Sequence, residues 1–416
     1  MIELKKMDSG VTLVTEKMEN MKSASIGIWV KAGAVNERPE IAGISHFIEH
    51  MMFKGTKNRS AKKIAEDVDR IGAQINAFTG KEATCYYIKT LGSNIRTSFD
   101  ILFDMFNDSV FDKEEMEREK LVIYEEMKMI QDSPDEDAHD IICELVFCKD
   151  PIGHSIIGTP RSLESIDRDT LLGYIRDQYT KDSIVVSVAG NFRQEEVEEI
   201  IREKFNGCKD EKASFPGQGE ETEPGYKVKV KDIEQTHLCL GARSIALGTP
   251  DYYAFSLLNN IMGGAMSSRL FQNVREQKGL AYSVYSMNSS FTNEGYYNIY
   301  AGISHDKVEA ALNAIKEELR LLRDEGVTKE ELMKGKEQLK SSYIFGQENV
   351  NSRMFSIGKN SLLLGRVETM DQVLEKIDKV TMEDIRRVSE IISNVENYSG
   401  VAITNKEIPL QEMIRE

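Results

Sequence analysis

Residues 43–52 read Gly43-Ile44-Ser45-His46-Phe47-Ile48-Glu49-His50-Met51-Met52, an apolar helical stretch holding two of the chain's six histidines. At about 100° per residue, side chains four positions apart point within roughly 40° of each other, so His46 and His50 share a face. Glu49, three positions from His46, lies on the same side. Neutral imidazoles are good zinc ligands, and a nearby carboxylate that does not coordinate can take a proton from water held by the ion. A hydrolytic zinc site uses three protein ligands and an open position, so another Asp, Glu or His must come from elsewhere. The segment EKLVIYEEMKMIQD, within a long charged helix expected from about Lys113, offers Glu119 and Glu126, two turns apart on one face. Spacing alone does not choose among Glu119, Glu125 and Glu126.

Outward from this stretch, alternation at Ala24, Ile26, Ile28 and Val30 predicts a strand, helices follow, and Ile184 to Val188 reads as another strand. Gln74 to Thr79 reads as a half-buried strand. Residues 206–226, NGCKDEKASFPGQGEETEPGY, lose all hydrophobic period and read as an exposed connector. The order then recurs: Thr236, Leu238, Leu240 and Ala242 alternate, helices follow, and Tyr398 to Ile403 closes. Lys113-Glu114-Glu115-Met116 resembles Lys329-Glu330-Glu331-Leu332 at a spacing of 329 − 113 = 216, and Val188-Ala189 resembles Val401-Ala402 at 401 − 188 = 213. These matches predict a duplicated α+β unit, with a domain at 1–207, a linker at 208–225 and a second domain at 226–416.

With 416 residues, 40% of them hydrophobic and 29% charged, the chain has the composition of a folded protein with a large core. Sixty-nine acidic against 53 basic residues leave a net charge of −16, which repels a phosphate backbone and argues against nucleic acid as a partner. No run approaches the ~20 apolar residues of a membrane span, and MIELKKMDSG lacks a signal peptide's apolar stretch, so no membrane association and a cytoplasmic location are expected. Five cysteines without a CxxC predict reduced, mostly buried thiols.

The arrangement His46-x-x-Glu49-His50 is the inverted zinc-binding motif. With its surroundings it resembles the pitrilysin and insulinase (M16) family of metallopeptidases, in particular the branch similar to mitochondrial processing peptidase. The similar stretches are Asn76-Ala77-Phe78-Thr79 through Tyr86-Tyr87, Glu119 to Glu126, Gly158-Thr159, and Ser268-Arg269-Leu270 through Arg275 to Tyr282. The resemblance implies two homologous α+β domains of the LuxS/MPP-like metallohydrolase type, each an antiparallel-rich sheet packed with helices. It implies one Zn²⁺ per chain, held by His46, His50 and Glu126, with Glu49 as catalytic base and Glu119 supporting a ligand histidine. Asn76, Ala77, Phe78 and Thr79 correspond to the family's edge strand, to which an extended substrate adds as another strand. Arg275 and Tyr282 correspond to its substrate-binding Arg and Tyr pair.

The second half has no zinc motif, and active assemblies of the family contain four such domains, so the resemblance implies a homodimer acting on peptides or unfolded polypeptides. The acidic composition favours basic leader-like or presequence-like substrates. The other role open to this fold is that of a catalytically silent assembly subunit, or one dependent on a partner.

Overall fold

The computed structural model describes residues 2–205 and 223–415. The expected linker at 208–225 falls largely outside the described residues, as does Cys208; of the other cysteines, Cys85, Cys143 and Cys239 are buried and Cys148 is exposed. The first half contributes strands β1 (Ile2–Lys6), β2 (Thr12–Lys17), β3 (Ser23–Val30), β4 (Gln74–Thr79), β5 (Thr84–Leu91) and β6 (Ile184–Gly190). They form one sheet in the order β1-β2-β6-β3-β5-β4. The second half contributes β7 (Tyr226–Val230), β8 (Thr236–Ser244), β9 (Ala281–Ser290), β10 (Gly295–Ile303) and β11 (Ser399–Thr404), ordered β7-β11-β8-β10-β9.

Without β1, the two orders match strand for strand. Each has one parallel pair, β2 with β6 and β7 with β11, and antiparallel pairing elsewhere. The fold is thus two α+β sheets of one topology. Register corrects one detail of the repeat: Gly27 stands opposite Ser187, and Gly241 opposite Ser399, giving 241 − 27 = 214 and 399 − 187 = 212. The spacing of 213 between Val188 and Val401 is odd by comparison and matches residues on opposite faces, because strand side chains alternate. Tyr398 and Ala402 belong to the core on one face of the second sheet, and Val401 between them points to the other face.

The chain forms two compact units that are not contiguous in sequence. Among the described residues, the first holds 2–128, 154–205 and 345–369, and the second holds 129–153, 223–344 and 370–415. The 1–207 and 226–416 halves therefore each cede one stretch to the other unit. In the first unit the ceded helix Val350–Leu364 lies on β2, β3 and β6. This is why β3 is buried at nearly every position instead of alternating. Gly27 permits the close approach: a Cβ there would come within 2.4 Å of Met354 Sδ. Beneath the same helix Trp29 Nε1 donates to Ser187 Oγ at 2.9 Å. In the second unit the helix Pro134–Val146 lies on β8 and β11, and a Cβ at Gly241 would come within 2.7 Å of Ile142 Cγ1. The central strands of both sheets are buried on both faces, which explains their β-branched and small-residue content.

The first half also contains α1 (Ile44–Met52), which carries the histidines, α2 (Ala61–Arg70) and α3 (Ile95–Asp108). They precede α4 (Lys113–Asp132), the long charged helix expected from Lys113. No helix among the described residues is long and apolar enough to cross a membrane.

Candidate metal centre

Helix α1 is amphipathic in an unusual sense. Ile44, Phe47, Ile48, Met51 and Met52 are buried, and they turn His46, Glu49 and His50 together toward partly accessible space. Helix α4 buries the stripe Met116, Glu119, Lys120, Ile123 and Met127, at helical spacing. Glu119 sits on that stripe, so it is not the solvated acid its sequence neighbourhood suggests: its side chain is 7% exposed, against 39% for Glu126 and 69% for Glu125.

These placements bring His46, His50 and Glu126 together. Glu126 Oε1 lies 3.8 Å from His46 Nε2, and Glu126 Oε2 lies 3.6 Å from His50 Nε2. One donor atom from each of the three lies within 4.8 Å of the others, the sole such group of His, Cys, Asp and Glu found among the described residues. Donors around a tetrahedral ion with bonds of about 2.0–2.1 Å stand about 3.3–3.5 Å apart, so two imidazoles and a carboxylate so placed fit Zn²⁺ with little movement. Glu125 is not part of the group; it pairs with Lys128 at 2.6 Å.

Behind these three residues lies a short chain of charge-assisted contacts. Glu119 Oε1 is 2.8 Å from His50 Nδ1, and Glu119 Oε2 is 2.5 Å from Lys54 Nζ. A proton on Nδ1 donated to Glu119 leaves the lone pair of Nε2 facing Glu126. Burial, helped by the neighbouring His50, pulls the His46 imidazole down to about 4, so it is neutral and able to coordinate near pH 7.

Glu49 is not among the three. Thr79 Oγ1, at the end of β4, donates to Glu49 Oε2 at 2.5 Å. Burial raises the Glu49 pKa; the Thr79 bond and His50 oppose the rise, and Glu126 adds to it. β4 spans the stretch expected to be a strand and lies at the sheet edge, paired among the described residues only with β5. Asn76 and Phe78 are exposed, and Ala77 is buried. Phe78 packs edge-on against Trp29, at 5.6 Å between centroids. Arg275 and Tyr282 lie in the second unit, Arg275 in a π-helical turn (Phe271–Gln277) and Tyr282 in β9. The Arg275 guanidinium stands 4.6 Å from the Phe271 ring centroid and 5.9 Å from that of Tyr282. Tyr282 is 80% exposed, which rules out the core tyrosine that composition alone would suggest.

Three contacts escaped the sequence. Lys54 stands four residues after His50, a helical spacing, but its carboxylate partner is on another element. Thr79 reaches Glu49 across 30 positions. Glu37 caps α1 from upstream, and the one available signal was the absence of any capping side chain at Gly43.

Residues 12–160 match the model of the insulinase family, peptidase family M16, and residues 165–339 match the peptidase M16 inactive domain. The latter lies mostly in the half without a zinc motif. A Bacillus subtilis (strain 168) protein named as an uncharacterized zinc protease, YmxG, is 42% identical over 386 residues, covering 92% of this chain and 94% of that protein. An uncharacterized zinc protease of Streptomyces coelicolor is 34% identical over 391 residues, covering 92% of this chain and 85% of its own length. The crystal structure of a protease from Helicobacter pylori superposes with a TM-score of 0.90 at 22% identity, covering 97% of this chain and 99% of that one, which speaks to the fold alone. With both family models matched in order and a relative this similar over nearly its whole length, the chain belongs to the insulinase family of peptidases, family M16.

Proposed function

We propose that the chain is a zinc-dependent endopeptidase, in which His46, His50 and Glu126 hold one Zn²⁺ and Glu49 is the general base. The observation that supports this most is the convergence of three ligand atoms within 4.8 Å, with Glu49 beside them on the same helix face. The names of the relatives from B. subtilis and S. coelicolor support the zinc assignment. When bound, zinc supplies Lewis acidity toward a water and the scissile carbonyl oxygen, lowering the water pKa toward ~7.

The chain's own residues do the rest. Thr79 occupies Glu49 Oε2, which leaves Oε1 to accept the proton as water attacks the peptide carbon. Glu49 then passes that proton to the departing amine nitrogen as the C–N bond breaks; its raised pKa suits both steps. Glu119 orients His50 through Nδ1. The free edge of β4 accepts an extended substrate as a further strand through backbone bonds at Asn76–Thr79, so few side chains are read. Arg275 and Tyr282 supply donors to the substrate carbonyl, worth on the order of 3 kcal/mol per well-aimed donor. The active form is a homodimer, in which this pair on one subunit serves the metal of the other. Its substrates are peptides or unfolded segments, with basic leader-like or presequence-like sequences favoured by the charge of −16, and it works in the cytoplasm. The presence of Glu49 beside an intact ligand set favours an enzyme over a silent assembly subunit.

The test is Glu49→Gln, with zinc content and peptide cleavage measured on one preparation. Full zinc with lost turnover is expected, and an active variant would remove Glu49 as base. A panel of peptides matched in length but not in charge, digested at low salt, tests the steering; equal rates would dismiss it.

A further inference from the structure

Helix α1 carries both histidines and the base on nine residues, so small changes in its rotation move all three relative to Glu126 on α4. Its start is not capped locally. The N-cap is Gly43, with φ of +89°, and a Cβ there would lie 2.5 Å from the carbonyl oxygen of Ile157. The Ser, Thr, Asp or Asn that ordinarily satisfies the first amides is therefore sterically barred.

Glu37 takes that place from six residues upstream. Its Oε2 accepts the N–H of Gly43 at 2.6 Å, and its Oε1 accepts the N–H of Ser45 at 2.8 Å. Glu37 is 4% exposed. The Ser45 hydroxyl, fully buried, continues the contact to Tyr174 OH at 2.9 Å. Both carboxylate oxygens are thus engaged by backbone amides. Burial opposes the charge, and the amide bonds favour it. A buried acid is a costly way to end a helix when an ordinary uncharged cap would serve. What it adds is geometry: two amides two residues apart, held by the two oxygens of one planar group, fix where α1 starts and which way its first turn faces.

We propose that Glu37 is a positioning residue that sets the rotation of α1, so that the Nε2 atoms of His46 and His50 meet Glu126. This rests on the reading of those three as the zinc ligands. The alternative is that Glu37 only fills space at the helix start, and the two differ in how substitutions rank. Glu37→Gln keeps the volume but turns an NH₂ toward one of the two amides. Glu37→Asp keeps both acceptors on a shorter arm.

Zinc affinity is measured by chelator competition on the intact chain, with the thermal midpoint of the metal-free protein and the kcat and KM for a peptide alongside. The expected order is wild type, then Asp, then Gln. The Gln variant should lose about tenfold or more in zinc affinity, as for groups that orient metal ligands, and kcat should fall while KM stays, because β4 is untouched. Wild-type zinc affinity in Glu37→Gln, or Gln ranking above Asp, overturns the proposal. If Glu37→Gln does not fold, a folded Glu37→Asp with wild-type zinc affinity overturns it equally. Failure of the wild type itself to bind zinc condemns the metal-site reading instead.

Discussion

Replacing Glu119 by Gln is the most demanding test of the contacts behind the proposed ligands. The side chain is 7% exposed, one oxygen lies 2.8 Å from His50 Nδ1, and the other lies 2.5 Å from Lys54 Nζ. Glutamine has the same shape but one acceptor. If its oxygen stays with His50, its NH₂ faces the Lys54 ammonium; if it turns over, the NH₂ meets Nδ1 and the imidazole must place its proton on Nε2, where the ion needs a lone pair. Either way one charge-assisted bond is lost, worth about 1.5–3 kcal/mol. At about 1.4 kcal/mol per factor of ten, this predicts a loss of roughly 10- to 100-fold in zinc affinity if the strain falls on His50. The assay is competition with a chromogenic chelator at fixed pH, with thermal unfolding of the zinc-free chain as control. Undiminished zinc affinity in a folded Glu119→Gln would show that Glu119 does not orient His50. Lys54→Met should lose less, because the His50 bond survives.

The choice of Glu126 over its neighbour is tested by Glu126→Ala, expected to lower metal content, beside Glu125→Ala, expected to leave it unchanged; mass spectrometry under native conditions reads both. Thr79→Val removes the hydroxyl that holds Glu49 Oε2 but keeps the β4 backbone, so kcat should fall by up to about tenfold with peptide KM unchanged; a change in KM alone would mean that Thr79 serves substrate binding only. Away from the site, Arg59 is clasped by Asp67, Asp100 and Asp104. Burial raises the Asp100 and Asp104 pKa values, but bonds from Asn58, Arg59 and Thr56 to Asp104, and from Arg59 and Lys204 to Asp100, outweigh it and lower both. A carboxylate with a lowered folded pKa contributes stability above its unfolded value, about 3.9, and loses it as pH falls through the folded value. Urea midpoints should therefore drop between about pH 5 and pH 3, less steeply in Asp104→Asn, and equal slopes would exclude this cluster as a source of acid sensitivity.

Much of this was legible because it is local. The helical spacing of His46, Glu49 and His50 needs only 3.6 residues per turn, and the alternation at Ala24 to Val30 and at Thr236 to Ala242 needs only a pleat. β3, β4, β6, β8, β11 and α4 lie where periodicity placed them, to within a residue or two. Glu119 and Glu126 could not be told apart from Glu125 by spacing, because exposure on a charged helix is decided by what packs against it. The strand spacing of 213 failed by one residue for a related reason: a short match between two buried strands carries no record of which face each residue occupies.

The amino-acid sequence by itself determined the helix carrying two histidines and a glutamate, the recurrence of α+β elements, and the acidic balance, since each depends on neighbours along the chain. Only the tertiary structure decided that Glu126 stands beside His46 and His50, that Glu119 and Lys54 lie behind them, that Thr79 holds Glu49, and that Glu37 caps α1. It also decided that the helices Pro134–Val146 and Val350–Leu364 each belong to the unit formed mainly by the other half. Those choices bring together groups separated by up to several hundred residues. They are made by the burial of two-faced sheets and the pairing of buried charges, forces that act through space and leave no period in the sequence.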